Sequence, residues 1–379
     1  MSNITSTKLD IAIIGGGNAG ITLASRLSAQ RSPLKTLVFE PKTPQQRDCN
    51  WSLWATPNQC KSLEPSMLGK WAQWRLIDDV SEVVLKSDEY QYMSLSAAKY
   101  LQHCEDSLAG TDKIKRSAVG QLVQDAGITV FKSDGQNYTA KTVFDSRPAA
   151  TVSNSLRQHF MGWEIRTKAP MTETDIATLM DFRVDQSKGL HFIYALPFSS
   201  NHLFLESTMI SRTLEDKQWY RDAISQWLQR HNIEIDELLR EEVGVIPMEE
   251  TPETSIPLGA IGAIGAASGA VRLSSGYAFS AIQTQMTRLA KGISVGDYSV
   301  PKPTSSYLDT MDKVFNGVLL SRPDLAVDIF MRTGRALDGN QFARFMLGSA
   351  GVIEWIKVIF AMPKRVFIRQ LWRQVVGHD

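Results

Sequence analysis

The chain has 379 residues, 43% of them hydrophobic, enough for one large domain or two closely joined ones with a substantial core, since domains run to about 100 to 200 residues. A formal net charge of +1 excludes a global attraction to nucleic acid and leaves only local charge to act. Cys49, Cys60 and Cys104 show no metal-ligand spacing and cannot all pair, which points to a reducing, cytoplasmic setting; the polar N-terminus carries no signal-peptide pattern, and no apolar run approaches the roughly 18 residues of a membrane-spanning helix.

Taken in order, the first element is the stretch Asp10 to Glu40, around which the rest is organised. An apolar run, Ile11 to Ile14, enters Gly15-Gly16-Gly17-Asn18-Ala19-Gly20; a small-residue helical pattern follows, and a second apolar run ends on Glu40. This is a βαβ unit of the dinucleotide-binding kind. Gly15 allows a tight turn, Gly17 lets backbone approach a pyrophosphate, and Gly20 brings helix and strand together, so that Asn18 and Ala19 open the helix beneath the phosphates. Glu40 lies about 20 residues further on, where such units place the carboxylate that binds a ribose.

Next, Trp51-Ser52-Leu53-Trp54 sits in a turn-rich, polar setting; the two tryptophans are either core residues or the lining of a hydrophobic substrate or flavin face. Short strands are predicted between Gly69 and Lys86, and a helix from a serine cap near Ser94 to Ala109. The runs Ile128 to Lys132 and Tyr138 to Asp145 flank Ser133-Asp134-Gly135-Gln136, a hairpin turn. The second run returns to the nucleotide sheet, and Asp145 at its carboxyl end is a candidate cofactor contact.

After residue 150 the pattern becomes one of alternating strands, Phe182 to Val184, Leu190 to Leu196 and His202 to Met209, predicting an antiparallel sheet over the cofactor. Within it Glu206 follows Phe204 and Leu205 on an apolar strand, where a carboxyl tends to keep its proton and can donate it; the bland reading is a glutamate paired with an arginine. Glu241 to Glu250 is predicted to turn through Val245-Ile246-Pro247. Gly259, Gly262, Gly265 and Gly269 then precede Ser275-Gly276-Tyr277 and a helix from about Ala281, which either presents a helix N-terminus to a flavin or merely packs closely. Helices are predicted at Tyr307 to Leu320, Asp324 to Arg332 and Gln341 to Leu347. The end, Val352 to Trp372, mixes apolar residues with Lys364, Arg365, Arg369 and Arg373, as in an interfacial helix or a packed cap.

The opening fingerprint, Asn50-Trp51-Ser52, Phe144-Asp145-Ser146-Arg147, Phe160-Met161-Gly162-Trp163-Glu164, Leu205-Glu206-Ser207-Thr208, Gly244-Val245-Ile246-Pro247-Met248 and Ser275-Gly276-Tyr277 occur in the order seen in the lycopene cyclase family of flavoproteins, which the chain resembles over nearly its whole length. The resemblance implies an α/β fold: an FAD-binding, Rossmann-like domain of the p-hydroxybenzoate hydroxylase type (residues 1–150 with 241–300), an antiparallel-sheet substrate domain (151–240) and a helical C-terminus (301–379). It implies cyclisation of a linear carotenoid or related polyene without net redox, with reduced FAD, NAD(P)H as electron donor and Glu206 as the acid. Gly276 and Tyr277 join the cofactor contacts, and Trp51, Trp54 and Phe204 line the substrate. So apolar a substrate, with the basic tail, implies a peripheral protein on the inner face of a membrane. Two places depart from the family: Ser207 stands where a second acidic residue is usual, and Leu273-Ser274-Ser275 precedes Gly276-Tyr277. A flavin monooxygenase is the competing reading, against which Gly265-Ala266-Ala267 lacks the aspartate usual at that motif. A third reading is a lipid-surface protein that keeps the nucleotide fold only as scaffold; an intact Gly15-Gly17-Gly20-Glu40 set argues against it.

Overall fold

The computed structural model describes residues 6–109, 113–148, 154–249 and 262–376; Gly259 and the boundary at residue 150 lie outside them. The strand Thr7–Ile14 is the centre of the nucleotide sheet, parallel to Thr36–Phe39 on one side and to Gln136–Asp145 on the other. Its alternation decides what packs where, because successive residues point to opposite faces. Ile11 and Ile13 pack with the helices Asn18–Ala29 and Phe279–Ile293, while Ala12 and Ile14 pack with Phe39, Phe131 and Tyr138. The hairpin Ile128–Ser133 to Gln136–Asp145 turns through Asp134 and Gly135, both at positive φ (52° and 71°), which is the backbone a two-residue hairpin requires. The late strand Gly262–Ala263 pairs with Phe144 and Asp145 and so brings the C-terminal half back onto this sheet.

The second sheet is larger than the sequence suggests. Among the described residues it orders Ile235–Pro247, Arg157–Thr167, His202–Ser211, Leu190–Ser199, Ile176–Asp181, Gln73–Ile77 and Glu82–Lys86. Three expectations are corrected here. Residues 73–86, expected in the nucleotide domain, belong to this sheet through the parallel pairing of Gln73–Ile77 with Ile176–Asp181. The strand expected at Phe182 to Val184 lies upstream at Ile176–Asp181, and it stops where the Asp181 carboxylate captures the backbone N–H and guanidinium of Arg183. Val245-Ile246-Pro247 is no turn but the end of a long strand paired to Arg157–Thr167, so residues 241–247 also leave the nucleotide domain. Pro247 is tolerated because it closes an edge strand.

A helix the periodicity did not reveal, Lys217–Arg230, covers the outer face of the sheet with Tyr220, Ile224 and Trp227. A smaller antiparallel sheet, Asn50–Ala55, Gln91–Ser96 and Met67–Trp71, packs Leu53 against Ile21 and Phe279 of the nucleotide domain and Trp54 in the core with Trp74 and Phe204 of the second sheet; Asn50–Ala55 is thus a strand and not the turn-rich segment expected. The helices Ser306–Ser321, Ala326–Ala336, Gly339–Met346 and Val352–Ala361 enclose a core of Trp54, Trp74, Ile329, Phe342 and Val358. Lys364–Val376 follows after Met362-Pro363 interrupts the tail, as the residue before proline disfavours helical backbone.

Candidate functional site

The nucleotide cradle has the form that its spacing predicts. Gly15 takes φ +88°, and a side chain there would meet Ser146 Oγ at 2.5 Å. A methyl on Gly20 would lie 1.9 Å from the Gly15 carbonyl oxygen, whereas one on Gly17 would meet nothing within 4 Å. Gly17 caps the helix and no side chain hydrogen-bonds its N-terminus, which leaves the first N–H groups free of a side-chain cap, as a pyrophosphate requires. Glu40 is buried at the end of its strand and accepts hydrogen bonds from the N–H groups of Gly16 and Lys42, both at 2.9 Å. Asn18 accepts from Gln283 at 2.8 Å, and a Cβ on Gly265 would meet that of Ala19 at 2.5 Å, so the late segment is fastened to the cradle. These residues fit a dinucleotide. Asp145 is an exception: its wholly buried carboxylate is turned to the N–H and guanidinium of Arg147, with the shortest contact at 2.6 Å. A charge out of water needs a partner, and here Arg147 supplies it instead of a cofactor.

The inner face of the second sheet carries the titratable groups. Register sets Tyr194, Glu206, Gly162 and Glu242 in one row across four neighbouring strands, and paired residues project from the same face. Glu206 accepts from Thr208 Oγ1 at 2.5 Å. It keeps some accessible surface although protein crowds it, as befits a carboxyl lining an interior space. Burial pushes its pKa up to about 8; the Glu242 charge adds to this and the Thr208 bond opposes it. Glu242 is raised to about 7, by burial first and then by Glu164 and Asp48, against the pull of Arg240 and the Asn50 N–H. Phe204, two residues before Glu206 on the same face, is buried with its ring over Gly162.

The small sheet and the late loop meet this face. Asn50 donates its N–H to Glu242 and accepts from Arg240 at 2.7 Å. Ser52 accepts from the Tyr194 hydroxyl at 2.8 Å, and the hydroxyls of Tyr194, Tyr92 and Tyr277 follow one another at 2.7 Å. Burial holds all three phenols well above their ordinary range, hence neutral. Gly276, at φ +71°, lies against Gln158 and Ile246 of the same face. Trp54 packs on Tyr92 and Tyr277 with ring centres 4.7 and 5.1 Å apart. Trp51, one strand position off the parity of Trp54, points the other way and packs on Tyr100 and Phe279; it does not line the Glu206 face. Sequence reasoning missed Glu242, Tyr92 and Tyr194. Glu242 reads as one more solvent-facing acid in Arg240-Glu241-Glu242, and only the two-residue alternation back from Gly244 could have marked it.

The family described as lycopene cyclase protein matches residues 10–370. The chain belongs to that family. A lycopene beta-cyclase from Pantoea ananas is 26% identical over 245 residues, a match spanning 63% of this chain and 62% of that relative. Among solved structures, a geranylgeranyl bacteriochlorophyll reductase-like protein from Thermoplasma acidophilum aligns with a TM-score of 0.64 at 13% identity, covering 96% of this chain and 99% of that one. A flavoprotein/dehydrogenase from Cytophaga hutchinsonii aligns with a TM-score of 0.60 at 13% identity, covering 98% and 100%. The fold is therefore that of the FAD-dependent flavoproteins, as the lycopene cyclase resemblance implied. Of the two departures from the family, Ser207 faces away from the Glu206 row and donates to or accepts from His191 at 2.9 Å, and Ser275 immediately precedes the Gly276-Tyr277 turn.

Proposed function

We propose that this lycopene cyclase family member is an intramolecular lyase, closing the ends of a linear carotenoid or related polyene by acid-initiated cyclisation with no net redox. The observation that carries the reading is Glu206: a half-buried carboxyl beside the buried Phe204 with no cation paired to it among the described residues, its pKa raised by burial, on a face that the Gly276-Tyr277 loop adjoins. Glu206 gives its proton to the terminal double bond, the resulting carbocation closes the ring, and loss of a neighbouring proton leaves the ring double bond. Phe204 and Trp54 exclude water, which would otherwise quench the cation. The N-terminus of Asn18–Ala29 would hold the FAD pyrophosphate and Glu40 the ribose. Bound FAD, kept reduced by an NAD(P)H donor, would supply negative charge near the cationic end group.

The same reading includes a membrane surface. No helix among the described residues is long and apolar enough to cross a membrane. Yet Ile353, Phe360, Ile368 and Trp372 are 65 to 70% exposed, and on the helix that carries Ile368 and Trp372 the bases Arg365, Arg369 and Arg373 line, with Arg322, a cleft of about 440 Å³. Apolar side chains beside bases suit an anionic bilayer, from which the polyene would enter. Expression in cells that accumulate lycopene tests the function: cyclic carotenoids should replace lycopene. Unchanged lycopene would refute it as substrate, and oxygenated products would move the chain to the monooxygenase reading.

A further inference from the structure

We infer that Glu242 is a positioning residue for proton transfer: it carries a negative charge that adds to burial in keeping the proton on Glu206, so that the two carboxyls act as one charge-sharing unit. This rests on the reading of Glu206 as the acid. Its geometry is independent of any ligand. Glu206 and Glu242 flank Gly162 on either side in register, which sets their Cα atoms about 10 Å apart, two strand spacings. Gly162 itself contributes no side chain between them. A Cβ on Gly162 would lie 2.7 Å from the Phe204 ring and 3.2 Å from Glu242 Cγ, so an aromatic ring and the Glu242 stem lean over the gap. Charges separated by hydrocarbon interact more strongly than charges separated by solvent.

The surroundings say which carboxyl holds the charge. Glu242 has Arg240 Nη1 at 2.9 Å and the Asn50 N–H at 3.2 Å; Glu164, which shares Arg240 and accepts from His202, and Asp48 are the other charges facing it. Among the described residues no cation pairs with Glu206. It is faced by the Thr208 hydroxyl, by the neutral phenols of Tyr194 and Tyr277, and by the Glu242 charge. Ionising Glu206 as well would put two negative charges on one buried row whose single arginine, Arg240, pairs with Glu242 and Glu164 and not with Glu206. Two such groups titrate as a pair.

The test is the protonation of Glu206 itself, followed in the full-length holoenzyme by the infrared carbonyl band that Glu206→Gln abolishes. Glu242→Gln keeps the shape and removes the charge; the Glu206 band should then titrate about one pH unit lower, the size of a unit-charge interaction over this distance. The alkaline limb of the pH–rate profile should move down with it, and Glu242→Asp, which retains the charge, should restore both. A Glu206 titration unchanged in Glu242→Gln would overturn the proposal. Wild type gives the same answer without substitution: the band should disappear over a broadened, two-step range, and a single sharp one-proton curve would overturn the coupling. If instead the band shifts as expected while Glu206→Gln still cyclises its substrate, the coupling stands and the reading of Glu206 as acid falls.

Discussion

Arg272 and Asp312 form a buried ion pair, Nε to Oδ2 at 3.3 Å, that fastens the late glycine-rich loop to the C-terminal helices. Arg272 also donates to the carbonyl oxygens of Phe345 and Met346, and its own N–H bonds the Tyr277 carbonyl at 2.9 Å. The position of Tyr277 beside Glu206 thus depends on a helix far along the chain. Asp312→Ala leaves a guanidinium buried without its counter-charge and should cost about 3–5 kcal/mol. Denaturant unfolding measures this; a loss below about 1 kcal/mol would mean that the carbonyls alone satisfy Arg272.

What the sequence disclosed and what it concealed divide along sequence separation. Gly15, Gly17, Gly20 and Glu40 were legible because their spacing falls within one βαβ unit; of the glycines, Gly20 answers to the Gly15 carbonyl of that same unit, whereas Gly15 is held small by Ser146 from a distant strand and Gly17 faces open space. Glu206 follows the apolar Leu203-Phe204-Leu205, a pattern that alone fits an arginine-paired glutamate as well, and only the family resemblance singled it out as an acid. Glu242 was not legible, since its meaning comes from alignment with Gly162 and Glu206 across strands distant in the chain. The same holds for residues 73–86, whose pairing with Ile176–Asp181 no local pattern announces. Trp51 and Trp54 could not be separated without knowing that Asn50–Ala55 is a strand, after which parity alone sends them to opposite faces.

Gly17 and Gly20 should fail differently when enlarged. Gly17→Val introduces its side chain into open space at the helix N-terminus, so the protein should fold normally while losing bound flavin, read as absorbance released on denaturation. Gly20→Val collides with the Gly15 carbonyl and should not yield folded protein. Full flavin occupancy in Gly17→Val would remove the pyrophosphate from this cradle.

Acid should unfold the protein through the outer face of the second sheet. His159 and His191 are almost wholly buried, and burial lowers both to a pKa of about 4. In the unfolded chain they titrate near 6.5, so between pH 6.5 and 4 the unfolded state binds more protons and stability falls as the pH falls. Unfolding free energy measured across that window should decline in wild type and decline less in His191→Gln. An identical slope in the two proteins would contradict the assignment.

Membrane binding should depend on both chemistries of the tail. Arg365→Gln with Arg369→Gln should weaken flotation with vesicles rich in phosphatidylglycerol and leave less for high salt to remove. Ile368→Asp with Trp372→Asp should weaken it at any salt. Both pairs are exposed or half-exposed, so neither should unfold the chain; unaltered flotation in both would make these helices a cap and nothing more.

The most direct measurement is cyclisation in deuterated water by wild type and Glu206→Gln, each loaded with reduced flavin. With Glu206 as the acid, each ring should gain one deuterium, activity should fall as the pH rises through about 8, and Glu206→Gln should bind flavin yet lose about 10²-fold or more in rate, the scale of a missing general acid. Undiminished turnover by Glu206→Gln, or NAD(P)H and oxygen consumed in proportion to product, would contradict the account.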